Sequence, residues 1–165
     1  MSRRLLKLIA IIMIKVEVLS QEKKWSKKIK KTEFFFNFIC KSFPKKYRFS
    51  NKKLSLTLLL SNNKNIKKLN NKFRNKNKPT DILSFPFEPM IKKKKQLYLG
   101  DIIISYNFMN NPKNQCLSLF KDKVIRTFIH GFLHLLGFDH IKLQDYDKMF
   151  KEEQKIYQSV IKRIN

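Results

Sequence analysis

The sequence has 165 residues and a formal net charge of +25 at pH 7, from 37 Lys or Arg against 12 Asp or Glu. This length suits one hydrophobic core rather than two, and the hydrophobic content of 42% is that of a globular chain. The only two cysteines, Cys40 and Cys116, exclude a disulfide framework and suit a reducing cytoplasm.

The basic charge is unevenly spread along the chain. Residues 1–80 carry 23 basic and 3 acidic side chains, whereas residues 81–165 carry 14 and 9. A field of this sign attracts polyanions such as RNA. Most of the basic residues are lysines in Lys/Asn runs, however, and a coding sequence rich in A and T produces the same pattern. Charge alone therefore favours a nucleic-acid partner without establishing one.

The N-terminus has two readings. Its basic start and the apolar run from Leu8 to Ile14 resemble the beginning of a signal peptide, but the run has seven residues and Lys15 follows it directly. No A-x-A-like cleavage site is present, and about 20 apolar residues are needed to span a bilayer. We therefore predict a buried β-strand from about Ile9 to Val18 and no membrane partner.

The next segments alternate between helical and extended patterns. A helix is predicted from Gln21 to about Ser42, with an apolar stripe formed by Trp25, Ile29, Phe34 or Phe35, Phe38 and Ile39. After a loop at residues 44–47, leucines at every second position predict a strand over residues 54–60. The spacing of Ile66, Leu69 and Phe73 then predicts a short amphipathic helix.

The second half continues the alternation. A strand is predicted over residues 81–87, with Pro86 at a strand end or sheet edge because proline cannot donate to a ladder. A Lys-rich connection precedes a strand over residues 98–105, and helices are predicted from near Leu117 and over residues 146–161. This order predicts an α+β fold in which helices cover a small mixed sheet of about four strands.

All three histidines of the chain lie between residues 130 and 140, with the spacing H-x3-H-x5-H. His130 and His134 are four apart on a predicted buried helix, so their side chains share one face. Gly137 is typical of a helix end and lets the chain turn His140 back toward the other two. Three imidazoles with an open fourth position are the usual ligands of catalytic zinc. We therefore predict a metal site at the helix end rather than a structural histidine cluster.

Gly131 bears on the type of reaction. It stands where the zinc-protease pattern H-E-x-x-H has its general-base glutamate, so the predicted helix carries ligands without a base. This counts against peptide hydrolysis. A metal-dependent hydrolase of a phosphoester or an amide is a more general hypothesis, and within it a protease is the least supported activity.

The segment His130–His140 resembles the signature H-G-x-L-H-L-x-G-[YF]-D-H of the bacterial YbeY family. The stretch of residues 71–87 resembles a second signature, N-x-x-[YF]-R-x-x-[DN]-K-P-T-[DN]-V-L-S-F-P, and residues 99–104 resemble L-G-D-[IV]-x-I. The resemblance covers about residues 50–155. It implies a single YbeY-like domain over residues 1–165, with a four-stranded mixed sheet and the three histidines in a cleft.

The resemblance also implies a function. Members of this family are metal-dependent endoribonucleases and rRNA maturation factors, so we expect a cytoplasmic enzyme that cleaves single-stranded RNA at the 3′ end of the small-subunit rRNA. The expected partners are rRNA and the ribosomal small subunit, and the expected cofactor is one Zn²⁺ per chain, with no small-molecule cofactor. The alternative is a non-catalytic rRNA-binding assembly factor with a structural metal.

Expected site residues follow from the same motifs. The metal ligands are His130, His134 and His140, and the catalytic residues are Arg74 and His130. From the residues alone Arg74 is one more surface cation, but the second signature marks it as a guanidinium for a phosphate. Asp101 is a partner of a ligand histidine, a water-activating base, or a turn residue at the strand edge.

Overall fold

The computed structural model describes residues 14–47, 53–87 and 96–164. Its four strands are β1 (Lys15–Ser20), β2 (Lys53–Ser61), β3 (Ile82–Pro86) and β4 (Gln96–Ser105). Its helices are α1 (Lys24–Lys28), α2 (Thr32–Lys41), α3 (Asn63–Arg74), α4 (Tyr106–Met109), α5 (Leu117–Leu135) and α6 (Leu143–Ile164), with one 3₁₀ turn at Lys45–Tyr47.

The strands form one mixed sheet in the order β1-β2-β4-β3. β1 and β2 are parallel, β2 and β4 are parallel, and β3 runs antiparallel to β4 along one edge. The predicted α+β fold with a four-stranded mixed sheet is therefore confirmed. Pro86 is the last residue of the edge strand, as predicted, and residues 9–13 of the predicted first strand lie outside the described ranges.

One face of the sheet carries the main core. Alternate residues of β2, such as Leu56 and Leu58, point to this face and are fully buried. Helix α5 packs there through phenylalanines: the Phe128 ring lies 5.0 Å from Phe36, and the Phe132 ring lies 4.9 Å from Phe43. Fully burying a side chain of this kind stabilises the fold by roughly 1.5–3 kcal/mol. These contacts make α5 a fixed support for the side chains on its remaining face.

The opposite face of the sheet is covered by α3. A small apolar cluster joins Ile66 of α3 to Leu83 and Ile103 of the sheet. The helix begins at Asn62, whose side-chain oxygen accepts a hydrogen bond from the Asn65 amide, as in an N-cap. It ends at Arg74, after which Asn75 adopts a left-handed conformation with φ of 54°. Arg74 is thereby fixed at the end of a helix.

The single helix predicted from Gln21 to Ser42 is wrong. Two helices occupy this segment, α1 and α2, because Ile29 is extended and interrupts the hydrogen bonding. The interruption shifts the phase of the apolar stripe. Phe36 and Ile39 are buried, and of the alternatives Phe34 or Phe35 in the predicted stripe, Phe34 is exposed whereas Phe35 packs against the core. Burial of Trp25 and Ile29 on one side of the break, and of Phe36 on the other, accounts for it.

Helix α5 begins at Leu117, where the sequence predicted it. Tyr47, predicted to lie in a loop, is buried in the 3₁₀ turn and hydrogen-bonds Glu152 of α6. No helix in the described ranges is long and apolar enough to cross a bilayer.

Candidate metal centre and its cleft

His130 and His134 lie one turn apart at the C-terminal end of α5. Their Nε2 atoms are 3.0 Å apart and their ring centroids 4.6 Å apart. The neighbouring residues Ile129 and Leu133 are buried in the core and fix the rotation of the helix about its axis. Both histidine rings are therefore held on the same side of α5.

The turn after α5 brings the third histidine to the same point. Gly137 has φ of +86°, its amide donates to the His134 carbonyl, and the Phe138 amide donates to the Leu133 carbonyl. This pair of hydrogen bonds is a Schellman motif, for which a left-handed residue is needed. Beyond it, the His140 ring lies 5.3 Å from His130 and 5.0 Å from His134. The predicted helix stop at Gly137 is confirmed.

Two hydrogen bonds orient the rings so that their Nε2 atoms face each other. His134 Nδ1 donates to the Phe138 carbonyl at 2.9 Å, and His130 Nδ1 donates to Glu153 Oε1 at 2.6 Å. With the proton held at Nδ1, each Nε2 presents a lone pair. Burial, followed by the neighbouring His130, lowers the pKa of His134, which favours its neutral form.

This arrangement fits a metal ion. Two lone pairs that face each other at 3.0 Å repel unless a cation lies between them, and tetrahedral zinc with Zn–N of about 2.0–2.1 Å separates its ligand atoms by roughly 3.3 Å. One ligand atom from each of His130, His134 and His140 lies within 4.8 Å of the others. Within the described ranges, no other group of three His, Cys, Asp or Glu side chains meets this condition.

The three histidines open onto a cleft of about 750 Å³, which we call the histidine cleft. Its walls are the end of α3, the edge strand β3 and the turn after α5. The lining residues are Phe73, Arg74, residues 80–86, His130, His134 and residues 137–141. His140 is exposed, so the centre is open to solvent on one side.

Gly131 sets how close α5 lies to the edge strand. A Cβ at this position would lie 2.6 Å from Ile82 Cδ1 and 3.0 Å from Ser84 Oγ. A side chain at this position would therefore have to displace the Ile82 side chain or move the helix away from β3. The residue that stands in place of the protease glutamate thus allows close packing of α5 on the edge strand.

Comparison with known proteins identifies the family. The family profile described as Endoribonuclease YbeY matches residues 17–161. The Endoribonuclease YbeY of Pelagibacter ubique is 65% identical over 148 residues, which cover 90% of this chain and 97% of that protein. The chain belongs to the YbeY family. The resemblance seen in the sequence is thereby confirmed, and with it the enzyme class, an endoribonuclease, which is a hydrolase of RNA phosphodiester bonds.

More distant YbeY relatives align over most of the chain. The Endoribonuclease YbeY of a Sulfurihydrogenibium species is 35% identical, covering 87% of this chain and 91% of that protein. That of Buchnera aphidicola is 36% identical, covering 82% and 84%. A Thermotoga maritima protein solved in solution has the same fold, with a TM-score of 0.52 over 88% of both chains at 24% identity.

Arg74, the last residue of α3, lines the histidine cleft of this YbeY chain. Its side chain is exposed, and no carboxylate in the described ranges forms an ion pair with it. The other described arginines are engaged: Arg126 pairs with Asp122, and Arg163 donates to the Lys41 carbonyl. Arg74 is thus a guanidinium without an ion-pair partner in the cleft, and Lys76 and Lys78 of the loop that follows it do not line the cleft.

Asp101 does not reach the metal centre. Ile102 faces α5, because its Cγ2 would lie 3.2 Å from a Cβ on Gly131. Successive residues of a strand point to opposite faces, so Asp101 points to the other face of the sheet. Its carboxylate accepts a hydrogen bond from the Tyr98 hydroxyl at 2.5 Å. The role of a turn residue at the strand edge is not matched either, because Asp101 lies within β4 and is paired with Thr57 on one side and Phe85 on the other.

The carboxylate that contacts His130 is instead that of Glu153, which the sequence did not single out. It belongs to α6, 23 residues after His130, and approaches because α6 packs against α5. A carboxylate on the second nitrogen of a ligand histidine fixes its tautomer and raises its basicity. The available signal was weak: α6 was predicted as a packed helix, but nothing in its spacing separates Glu153 from the neighbouring Glu152.

Proposed function

We propose that the protein is a zinc-dependent endoribonuclease that cleaves single-stranded RNA during rRNA maturation, notably at the 3′ end of the small-subunit rRNA. It would act in the cytoplasm with the ribosomal small subunit as its partner, through one YbeY-like domain over residues 1–165. Family membership supports the enzyme class. The observation that carries the rest is that the three-histidine cluster and the uncommitted Arg74 open onto one cleft.

In this proposal His130, His134 and His140 hold one Zn²⁺ through their ring nitrogens. A zinc ion bound there would polarise a phosphoryl oxygen and lower the pKa of water toward about 7. His130 acts in catalysis through this role, and Glu153 keeps its Nε2 directed into the cleft. The His140 amide donates to Asp139 Oδ1 at 2.7 Å, whereas no hydrogen bond in the described ranges fixes its ring as those of His130 and His134 are fixed.

Arg74 would bind the scissile phosphate. Its planar guanidinium offers two parallel donors to phosphate oxygens, a geometry that a lysine cannot match. Held at the end of α3, it would stabilise the negative charge that develops in a pentavalent transition state. Removal of one preorganised donor of this kind lowers kcat by roughly 100- to 1,000-fold in enzymes that stabilise an oxyanion.

The alternative, a non-catalytic assembly factor with a structural metal, is less well supported. Structural zinc sites are closed by four protein ligands, whereas catalytic sites keep one position open. Here three ligands gather in the described ranges, and the third is exposed at the mouth of a cleft. An open site beside a free guanidinium favours a reaction over a structural role.

The decisive experiment incubates the purified protein with single-stranded RNA, duplex RNA and a fragment spanning the small-subunit rRNA 3′ end, each with and without a chelator. We expect cleavage of the unpaired substrates that the chelator abolishes and that stoichiometric zinc restores. Tight binding to rRNA without cleavage would favour the assembly factor. Restoration by Mg²⁺ and not by zinc would contradict the zinc assignment.

Variants of Arg74 test the phosphate contact in the same assay. Arg74→Ala should lower kcat by roughly 100-fold or more, and Arg74→Lys should recover little because it keeps the charge without the fork. Lys76→Ala is the matched control, since it removes one positive charge two residues after Arg74 and outside the cleft. An equal loss of kcat in Arg74→Ala and Lys76→Ala would contradict a specific phosphate contact and would mean that Arg74 contributes only its positive charge.

A further inference from the structure

Three large aromatic side chains are exposed on the side of the sheet that α3 covers. Phe73 is 56% exposed, Phe87 58% and Tyr98 37%. Single exposed aromatics are ordinary, but these belong to two ring pairs. The Phe73 ring lies 5.1 Å from Phe85 at 61°, and the Phe87 ring lies 5.6 Å from Tyr98 at 70°. Each pair leaves ring surface open to solvent.

The two pairs follow each other along strands β3 and β4. Phe85 lies opposite Asp101 in the strand register, and Asp101 accepts the hydrogen bond from Tyr98. Directly opposed residues share a face of the sheet, so Phe85 and Asp101 both lie on the side of α3. The first pair lines the histidine cleft and the second lies beyond the end of β3. We call these four residues the aromatic track.

The apolar cluster beneath α3 accounts for only one residue of the track. Ile66, Leu83 and Ile103 form that cluster and are buried, and of the four track residues Phe85 alone packs against it. Phe73 sits two turns after Ile66, on the last turn of the helix, where only the ring of Phe85 is beneath it. More than half of the Phe73 surface therefore remains in water. A side chain whose role was to pack α3 on the sheet would be more deeply buried than this.

Positive charge flanks the aromatic track. Helix α3 and the loop to Thr80 contain seven basic residues and no acidic one, and all seven are exposed. They are Lys64, Lys67, Lys68, Lys72, Arg74, Lys76 and Lys78. The Lys72 ammonium lies 5.2 Å from the Phe73 ring centroid, so a cation stands directly beside the first stacking surface. Stacking surfaces beside a basic groove are the pattern of single-strand nucleic-acid binding.

We propose that the aromatic track stacks two unpaired bases of the RNA substrate, one on Phe73 at the cleft and one on the Phe87–Tyr98 pair beyond it. This deepens the proposed function, since it presumes an RNA in the cleft. Bases in a duplex are already stacked on each other and cannot reach these rings, so the track selects single strands. The Asp101 carboxylate repels phosphates from the track and leaves the backbone to the lysines on its flank.

The test measures RNA binding by fluorescence anisotropy in the presence of chelator, so that cleavage does not interfere. Phe73→Ala and Phe73→Leu should each weaken binding of a short single strand by about 5- to 100-fold, and Phe73→Trp should bind within about threefold of wild type. Duplex binding should be unchanged in all three. Phe34→Ala is the matched control, because Phe34 is 68% exposed on α2, outside the cleft.

An abasic RNA locates the stacked base. Single strands with one abasic nucleotide at each position in turn should show two positions where wild-type binding weakens. At one of them Phe73→Ala should cause no additional loss, and at the other Phe87→Ala should cause none. Wild-type affinity of Phe73→Leu, or equal losses for single strand and duplex, would overturn the proposal. If the wild type binds and stacks RNA but never cleaves it, the proposed nuclease function fails while the aromatic track stands.

Discussion

The hydrogen bond between Glu153 and His130 allows a direct test of how the metal centre is held. At 2.6 Å from His130 Nδ1, the Glu153 carboxylate fixes the tautomer that exposes Nε2 to the cleft. Glu153→Gln removes the charge and leaves an amide whose oxygen still accepts, but whose bond is weaker and whose orientation is not fixed. We therefore expect weaker metal binding with an unchanged ligand set.

The expected loss of zinc affinity depends on how exposed the Glu153–His130 pair is to solvent. Loss of such a partner typically costs 10–100-fold in metal affinity. The side chains of His130 and Glu153 are 32% and 24% exposed, so solvent screens their interaction and the lower end of that range applies. We expect zinc affinity to fall about tenfold, or roughly 1.4 kcal/mol.

The measurement is a competition titration of the metal-free protein against a chromophoric zinc chelator. Glu33→Gln is the matched control, because it makes the same chemical change at an exposed position of α2. Glu153→Ala should be weaker than Glu153→Gln, since it removes the acceptor as well. If Glu153→Gln and Glu33→Gln both bind zinc as tightly as the wild type, then Glu153 does not support the centre.

Three further predictions concern the metal, the charge and the α6 contact. His134→Ala should lose stoichiometric zinc by elemental analysis while keeping its circular dichroism spectrum; full zinc retention would contradict the ligand assignment. RNA affinity should fall about 20-fold between about 50 and 200 mM salt if roughly three phosphates are contacted, whereas a flat response would make the +25 charge compositional. Burial would raise the pKa of Glu152, but hydrogen bonds from Lys46, Tyr47 and Lys155 lower it to about 2. Its stabilisation is therefore present above the ordinary pKa of 4.5 and lost as pH falls toward 2. Because its lysine partners are exposed, we expect Glu152→Gln to cost about 1–2 kcal/mol at pH 7 in denaturant unfolding, with over half of that difference gone by about pH 3; a difference independent of pH would refute the pairing.

Local patterns predicted the elements that hold the centre. The alternating leucines of β2 and the helical spacing around His130 each determine a local structure within about ten residues. Gly137 is required by the left-handed φ that ends α5, and the same turn supplies the carbonyl that fixes His134. The convergence of the three histidines was therefore readable from spacing, because a helix and one turn connect all of them.

Features that depend on packing between distant segments were not readable in this way. The interruption at Ile29 follows from simultaneous burial of Trp25, whose ring nitrogen donates to the Ser61 carbonyl 36 residues away. Likewise, Glu153 meets His130 only because two helices pack, and Asp101 misses it only because strand alternation sends it to the other face. In each case the deciding contact spans more of the chain than a local pattern does.

The site itself arises from the position of β3 at the sheet edge. Ile82 and Ser84 point toward Gly131 of the metal helix, whereas Leu83 and Phe85 point toward α3 and Phe73. Strand β3 thus contacts α5 on one face and the end of α3 on the other. No further strand in the described ranges covers its outer side. The cleft forms along that open side, between the two helices. A shift of one residue in the pairing of β3 with β4 would move every side chain of β3 to the other face of the sheet. Ile82 and Ser84 would then no longer contact α5, and Leu83 and Phe85 would no longer contact α3.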